Sequence, residues 1–212
     1  MTQYIKKLIF PILWELVFIA SYFLIAEEHF IYTNFIFYFG IIVYFVKTGD
    51  FKLQDLKQNI KGGKVFWFPV LWTAVAMIIA FLFSAFLGGL FPNVDDGMFG
   101  LAQKNWLQLI LFAISTIVFP PLAEELFFRK AIIRFDSKFL LIITSLLGMV
   151  LYTLEHSLSW LGIFQTMIIA IPLTVSYIKT KNVYIPMAAH FIVNVIGNGP
   201  SVVFTAIKFI SG

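Results

Sequence analysis

The chain has 212 residues, of which 60% are hydrophobic, 18% are aromatic and only 12% are charged, and its mean hydropathy is +0.92. Soluble globular proteins carry about 25% charged residues, so this composition excludes an ordinary soluble domain and indicates an integral membrane protein. The net charge of +4 does not indicate nucleic-acid binding, because the basic residues are dispersed and accompany no nucleic-acid-binding motif. The absence of cysteine from the sequence excludes disulfides, thiolate nucleophiles and cysteine-based zinc sites.

Apolar runs follow one another along the whole chain, and most are long enough for an α-helix to cross ~30 Å of hydrocarbon. We therefore predict an all-α, polytopic membrane protein that forms a single integral membrane domain over residues 1–212, with seven or eight transmembrane helices. The first run lacks the cleavage site of a signal peptide and is expected to be retained as an anchor. The runs lie at about residues 8–26, 30–46, 65–90, 106–135, 139–155, 160–178, 183–197 and 200–210.

The connections between these runs divide the basic residues unequally. With the N-terminus inside, 14 of the 15 basic residues lie on inner segments and only Lys104 lies outside. Acidic residues mark the outer connections instead, at Glu27, Glu28, Asp95 and Asp96. This pattern follows the positive-inside rule, so we predict a cell-membrane protein with a cytoplasmic N-terminus, and a cytoplasmic C-terminus if the eighth run is a separate span.

Two polar segments separate apolar runs. Residues 47–64 are rich in lysine and are expected to form an interfacial loop or a short amphipathic helix against the lipid bilayer. Residues 90–105 are rich in Gly, Pro, Asn and Asp and are expected to form an outer loop. Neither segment indicates a second domain.

The most unusual polar residues lie in the fourth run, in the segment Phe-Pro-Pro-Leu-Ala-Glu-Glu-Leu-Phe-Phe-Arg. A charged side chain in hydrocarbon costs several kcal/mol, so it is retained mainly where a partner or a reaction needs it. Glu125 and Arg129 are four residues apart and can form an ion pair along one helix face, which favours a structural role. Glu124 points about 100° away and has no evident local partner, which favours chemistry. The preceding Pro120-Pro121 is expected to distort the helix and to free backbone carbonyls.

Two later runs contribute histidines. Tyr152 and His156 are four residues apart, so the aromatic ring can pack on the imidazole and orient it. Alternatively, His156 and its neighbour Glu155 are interfacial residues at a helix end. His190 and Asn194 are also four residues apart on one helix face, where they could bond to another helix or serve a site. Neither pair, taken alone, distinguishes structure from function.

In combination, these runs supply the groups of a water-activating hydrolytic site. Glu124 and His156 could share the proton of an attacking water, while His190 and Asn194 could donate to the oxygen that becomes negative. The same groups could hold a divalent metal such as zinc, although the His-Glu-x-x-His spacing of zinc proteases is missing. A transporter that uses them as a proton relay is disfavoured, because we see no inverted repeat and no polar residues on further spans.

These residues fall into three short motifs, which are Glu124-Glu125-x-x-x-Arg129, Tyr152-x-x-x-His156 and His190-x-x-x-Asn194. Their order and spacing resemble the signature of the CPBP (Abi) family of intramembrane proteases, which contains the type II CAAX prenyl endopeptidases. The resemblance covers roughly residues 105–198 and departs from the usual pattern at Tyr152, where the family has Phe. It implies an intramembrane endopeptidase whose substrate is a membrane-associated or lipid-modified peptide or protein.

The resemblance also implies roles for the motif residues. The implied catalytic residues are Glu124, His156, His190 and Asn194, and the implied supporting residues are Glu125, Arg129 and Tyr152, with a catalytic share for Glu125 left open. Metal dependence is left open as well. The alternative is a non-catalytic membrane scaffold or bacteriocin-immunity protein of the same fold, which the loss of a motif residue would favour, and none is lost.

Helix arithmetic sets a condition on the hydrolytic hypothesis. If the turn after the fourth run lies at residues 134–138, Glu124 lies about 15 Å above that turn and His156 about 26 Å above it, at 1.5 Å per residue. Helix tilt, or a deeper start of the fifth run, must remove the difference of ~10 Å if the two groups meet. Side chains separated by more than one water would contradict the mechanism.

Overall fold

Helices account for most of the chain, because a backbone in hydrocarbon must satisfy its own hydrogen bonds. The structure, a computed structural model, describes residues 2–211, with side chains from residue 4 onward. Within that range the fold is all-α, as predicted, and a single 3₁₀ turn at Glu27–His29 precedes the second helix. The helices are α1 (Thr2–Tyr22), α2 (Phe30–Lys47), α3 (Leu53–Ile60), α4 (Lys64–Leu90), α5 (Trp106–Ala131), α6 (Lys138–His156), α7 (Trp160–Thr180) and α8 (Tyr184–Ser211).

Six of these helices are long and apolar enough to cross a membrane, fewer than the seven or eight spans predicted from the sequence. Helix α3 is too short, and α1 carries Lys6, Lys7 and Glu15 within its 21 residues. The apolar runs at 183–197 and 200–210 form the single helix α8, so the predicted eighth span is wrong. Among the residues that the structure describes, the candidate spans are therefore α2, α4, α5, α6, α7 and α8.

Helix α8 continues through residues 197–200, the Gly-Asn-Gly-Pro segment where the two predicted runs meet. An interruption would leave backbone groups unsatisfied in hydrocarbon at several kcal/mol each, whereas a helical glycine costs ~1 kcal/mol and a helical proline ~3 kcal/mol. The C-terminal end of α8 consequently reaches the start of α5, where the rings of Phe209 and Trp106 lie 5.3 Å apart. A cytoplasmic C-terminus was predicted only if the eighth run formed a separate span, and this condition is therefore not met.

The helix ends form two chemically different ends of the molecule. One, called here the basic end, contains the start of α1, residues 47–64, and the connections between α5 and α6 and between α7 and α8. Lys7 and Asp50 form a 3.2 Å ion pair there, and α3 confirms a short helix within residues 47–64. Thirteen of the 15 basic residues lie at or toward this end, and Lys104 and Lys208 lie toward the other.

The opposite end, called here the loop end, is covered by residues 91–105, which form the predicted loop. The loop is fixed to the connection between α6 and α7, where Met98 and Ser157 form an antiparallel bridge and the Ser157 hydroxyl donates to the Asp96 carbonyl at 2.6 Å. Gly162 permits this contact, because a Cβ there would lie 2.1 Å from the Asp96 oxygen. Helix α6 has 19 residues and α8 has 28. The difference of nine residues corresponds to about 13 Å of helix at 1.5 Å per residue.

Candidate active site

Helix α5 is locally irregular where it carries the paired glutamates. Two of its segments, Ile114–Val118 and Glu125–Ala131, are π-helical, a distortion that is frequent at functional sites. Pro120 lies between them and has no N–H, so the carbonyl of Thr116, four residues earlier, is freed from the helix. The Asn198 side chain of α8 donates to that carbonyl at 3.2 Å. The predicted distortion beside the prolines is confirmed, and it joins α5 to α8.

The second π-helical segment contains a buried ion pair. The Arg129 guanidinium lies 3.3 Å from the Glu125 carboxylate, and both side chains are at most 1% exposed, which confirms the predicted pairing. Arg129 also lies over the Tyr152 ring, 4.7 Å from its centroid. Helix α6 approaches closely because Gly148 has no side chain: a Cβ there would lie 2.5 Å from the Phe128 carbonyl. These contacts fix the position of α6 against the glutamate-bearing turn.

Glu124 receives its polar neighbours from three other helices. The Tyr38 hydroxyl of α2 donates to Glu124 Oε1 at 2.8 Å. His156 Nε2 lies 3.9 Å from the same oxygen, and His190 Nε2 lies 3.8 Å from Oε2. Both imidazoles are beyond direct hydrogen-bond distance but within reach of one shared water. The local partner that Glu124 lacks along α5 is thus replaced by groups from α2, α6 and α8.

His190 contacts both glutamates. Its Nδ1 lies 3.1 Å from Glu125 Oε1, and because an ionised carboxylate only accepts, we assign the proton to Nδ1. Glu125 therefore connects Arg129 with His190 and turns the Nε2 atom of His190 toward Glu124. Asn194, one helical turn further along α8, lines the same cavity.

His156 is the last residue of α6, and its side chain is 30% exposed. The Tyr152 ring packs against its imidazole with centroids 4.5 Å apart, as the four-residue spacing predicted. His156 Nδ1 lies 2.8 Å from the Tyr152 carbonyl and donates to it, which leaves Nε2 as an acceptor facing the site. The Phe99 N–H of the loop donates to the His156 carbonyl at 3.1 Å, so the loop holds this helix end in place.

The expected difference in height of ~10 Å between Glu124 and His156 is absent. The arithmetic behind it assumed 1.5 Å per residue as far as residue 134. In the structure α5 ends at Ala131, and residues 132–137 are not helical. Non-helical chain advances by up to ~3.3 Å per residue, so α6 begins lower than the arithmetic placed it. The condition of no more than one water between the two side chains is met.

A cavity of about 280 Å³ opens beside these groups. Its lining residues on α2, α4 and α7 lie in the halves of those helices nearer the loop end, and Met98, Phe99 and Leu101 of the loop cover it. The cavity thus extends from Glu124 toward the loop end and away from the basic end. Its lining includes all four predicted catalytic residues, Glu124, His156, His190 and Asn194.

Four polar residues near the site were not predicted to belong to it. Glu15 and Glu155 are 0% and 3% exposed, and Tyr38 and Asn34 line the cavity wall formed by α2. The interfacial interpretation is therefore wrong for Glu155. The sequence could have identified Glu15 as a site residue, because it is an acidic residue in an otherwise apolar run, as Glu124 is. Tyr38 carried none, since it is one of eight tyrosines and belongs to no motif.

The side chains present do not form a metal site in this arrangement. Among the described residues, no three His, Asp or Glu groups converge as ligands would around a metal ion. His190 illustrates the reason, because its two ring nitrogens face different carboxylates, Glu125 and Glu124. The divalent metal that the sequence left open therefore enters no step proposed below.

Comparison with protein families gives one match. Residues 105–196 match the family model described as "Type II CAAX prenyl endopeptidase Rce1-like". The match contains all three motifs and nearly coincides with residues 105–198, over which the resemblance was seen, so the resemblance is confirmed. No curated protein and no solved structure matches the chain.

Proposed function

We propose, from the premise that residues 105–196 are an Rce1-like type II CAAX prenyl endopeptidase domain, that this protein is an intramembrane endopeptidase. Its substrate is a membrane-associated or lipid-modified peptide or protein. The observation that carries the proposal is the position of Glu124, which lies 3.9 Å from one imidazole and 3.8 Å from another inside a cavity. A carboxylate and imidazoles within one water of each other are suited to taking a proton from that water.

The first step is the attack of water on the peptide carbonyl. A water between Glu124 Oε1 and His156 Nε2 can hydrogen-bond to both, and Glu124 takes its proton as the new C–O bond forms. The Tyr38 hydroxyl holds Glu124 Oε1 in position through its 2.8 Å bond. When the C–N bond breaks, the proton passes from Glu124 to the leaving nitrogen. The products are a carboxylic acid, which keeps the second proton of the water, and an amine, and Glu124 returns to its starting state as a carboxylate.

The second requirement is stabilisation of the oxyanion that forms during attack. His190 and Asn194 line the cavity beside Glu124 and can both donate to that oxygen. His190 must carry a proton on Nε2 to do so, and since Nδ1 already carries one, the ring acts as an imidazolium. Glu125 stabilises that positive charge from 3.1 Å, and Arg129, 3.3 Å from Glu125, holds the Glu125 side chain in place.

We further propose that the basic end is cytoplasmic and that substrates enter from the opposite side. By the positive-inside rule, the basic end, with most of the basic residues and the N-terminus, lies in the cytoplasm. Helix α1 then crosses the membrane as a seventh span, and its Glu15, which is 0% exposed, has no contact with lipid. The cavity, which extends toward the loop end, opens away from the cytoplasm.

Single cysteines test this orientation cleanly, because the natural sequence has none. Asp95→Cys lies in the loop, and Lys138→Cys lies at the start of α6. A membrane-impermeant maleimide should label Asp95→Cys on intact cells and Lys138→Cys only after permeabilisation. The reverse labelling pattern would overturn the orientation without affecting the proposed chemistry.

The endopeptidase itself is tested by mass spectrometry of peptide C-termini in cells that contain either the wild type or Glu124→Gln. We expect a set of termini that the wild type produces and Glu124→Gln does not. Asp136→Asn is the matched control, because it also replaces a carboxylate by an amide but at an exposed position of the basic end. Identical termini in all three samples would overturn the proposal and favour the scaffold or immunity protein, which needs binding alone.

A further inference from the structure

A second cluster of buried polar groups lies beside the catalytic one and has no part in the mechanism above. We call it the acceptor cluster and define it as Glu15, Asn34 and Glu155, which are 0%, 7% and 3% exposed. Glu155 and Asn34 line the cavity next to Tyr38, and Glu15 lies near Glu155 on α1. The Tyr38 hydroxyl neighbours Glu155 but gives its single proton to Glu124, so Glu155 is left without it.

The unsatisfied atoms of this cluster are all of one kind. Both carboxylate oxygens of Glu15, both of Glu155 and Oδ1 of Asn34 have no hydrogen-bond partner among the described residues. Each is an acceptor. A buried acceptor without a donor costs about 1–3 kcal/mol, and more where it is charged, so the cluster is expected to receive donors from outside the chain. A group with several N–H donors and a positive charge fits these atoms best.

The chain offers no such group of its own. Arg129 is the one Lys or Arg side chain that is buried among the described residues, and it already faces Glu125 and Tyr152. The catalytic histidines face Glu124 and Glu125. The acceptor cluster can therefore be neutralised only by a proton on a carboxyl group or by a cation that comes with a ligand.

The loop end, toward which the cavity extends, is rich in acidic residues. Glu27, Glu28, Asp95 and Asp96 lie there, with Lys104 paired to Glu28 at 2.7 Å, whereas most basic residues lie at the opposite end. Acidic groups around an entrance raise the local concentration of cations and speed their association. The acidic loop end and the acceptor cluster thus favour the same class of ligand, and two members of the cluster, Glu155 and Asn34, line the cavity.

We propose that Glu155 and Asn34, with Glu15 beside them, form a subsite for a protonated amine or guanidinium of the substrate. The proposal rests on the proposed endopeptidase function and names its substrate class: a peptide with a cationic group next to the cleaved bond. An ammonium group can donate its three N–H bonds to Glu155 and Asn34 Oδ1, and a guanidinium can pair with Glu155 in a bidentate manner. The Tyr38 hydroxyl lies between this subsite and Glu124, which places the cation beside the reacting carbonyl.

The test compares peptides that differ at one residue beside the cleaved bond, with Lys, Arg or the neutral isostere norleucine there. We expect the wild type to cleave the Lys and Arg peptides with a kcat/KM at least tenfold above that of the norleucine peptide. In Glu155→Gln the ratio should fall toward one, and Asn34→Leu should lower it in the same direction. Asp136→Asn, a distant carboxylate replacement, should keep the wild-type ratio. Equal cleavage of all peptides by the wild type would overturn the subsite and leave the endopeptidase intact.

A binding measurement separates the subsite from catalysis. Butylammonium, with butanol as its neutral counterpart, is titrated into the purified protein in detergent while the thermal unfolding midpoint is recorded. We expect butylammonium alone to raise the midpoint of the wild type and to have no effect on Glu155→Gln. Binding without cleavage of any peptide would support the subsite and overturn the endopeptidase, whereas equal midpoints with both additives would overturn the subsite.

The cationic group could be a Lys or Arg side chain or the free amino terminus of a peptide. Acetylating the N-terminus of the Lys peptide distinguishes these sources. A preference that survives acetylation assigns the subsite to the side chain, and one that disappears assigns it to the amino terminus. Both outcomes support an amine subsite.

Discussion

Two neighbouring groups of buried charges differ in how they are neutralised. In the motif cluster, defined as Glu124, Glu125, Arg129, His156 and His190, each carboxylate faces cationic or protonatable groups of the chain itself. In the acceptor cluster both oxygens of each carboxyl group, and Asn34 Oδ1, have no hydrogen-bond partner among the described residues. The four glutamates of the two clusters are all at most 3% exposed. The difference teaches that pairing, and not burial, separates carboxyl groups that the chain itself neutralises from carboxyl groups that await a ligand.

The largest expected effect comes from removing the arginine of the motif cluster. Arg129→Met keeps most of the side-chain volume but leaves buried Glu125 with His190 as its remaining partner, and removing one member of a buried ion pair costs about 3–5 kcal/mol. Unfolding in SDS from detergent micelles measures the loss. The double variant Arg129→Met/Glu125→Gln should recover most of it, because no unpaired charge remains. If Arg129→Met were as stable as the wild type, the claim that the motif cluster is stabilised by its internal ion pair would be wrong.

The next effect concerns catalysis. Asn194→Ala should lower kcat about 10²-fold with little change in KM, because it removes one donor to the oxyanion and no ground-state contact. Asn198→Ala is the same substitution one turn further along α8, where the amide donates to the Thr116 carbonyl. It should lower stability by about 1 kcal/mol and change kcat much less. Equal kcat values for the two variants would contradict the role of Asn194.

Replacing a glutamate of the acceptor cluster should stabilise the protein, whereas replacing Arg129 of the motif cluster should destabilise it. Glu15→Gln replaces a buried carboxyl group that has no hydrogen-bond partner among the described residues by an amide that can donate to Glu155, so we expect the free energy of unfolding to rise by about 1–2 kcal/mol. Unfolding Glu15→Gln and Arg129→Met in SDS in the same experiment measures the expected gain in stability of the first and the expected loss in the second. A loss of stability in Glu15→Gln would show that Glu15 already has a partner in the folded chain.

The smallest effect is expected at an ion pair on the surface. Lys104 Nζ lies 2.7 Å from Glu28, closer than Arg129 lies to Glu125, but the two side chains are 64% and 51% exposed. Water and salt screen such a pair, so Lys104→Ala should leave the unfolding midpoint within error of the wild type. A fall in the unfolding midpoint as large as that of Arg129→Met would contradict the claim that an ion pair needs burial to stabilise the protein.

Much of the fold and part of the site followed from the sequence, because they depend on local patterns. The length and polarity of the apolar runs predicted the helices α2, α4, α5, α6 and α7 closely. The four-residue spacings predicted the contacts of Glu125 with Arg129 and of Tyr152 with His156. Each of these predictions needs only the geometry of one helix. That one domain spans residues 1–212 stays a prediction, and so do the catalytic roles.

Other features depend on how the helices pack, and no local pattern contains that information. Tyr38 reaches Glu124 only because α2 lies beside α5, and the amide of Asn198 satisfies Thr116 only because α8 continues past residue 197. The break predicted there was wrong because helix propensity is a weaker term in hydrocarbon than backbone satisfaction. Glu15 differs, since the rule that identified Glu124 as costly applied to it equally.

The most direct measurement of the central claim is the source of the oxygen in the new C-terminus. Purified protein in proteoliposomes, given a cleavable membrane peptide in ¹⁸O-enriched water, should produce a carboxylate with one labelled oxygen. Glu124→Gln should produce it about 10³-fold more slowly while keeping the wild-type unfolding midpoint. Cleavage and labelling at the wild-type rate by a folded Glu124→Gln variant would contradict the claim that Glu124 activates water.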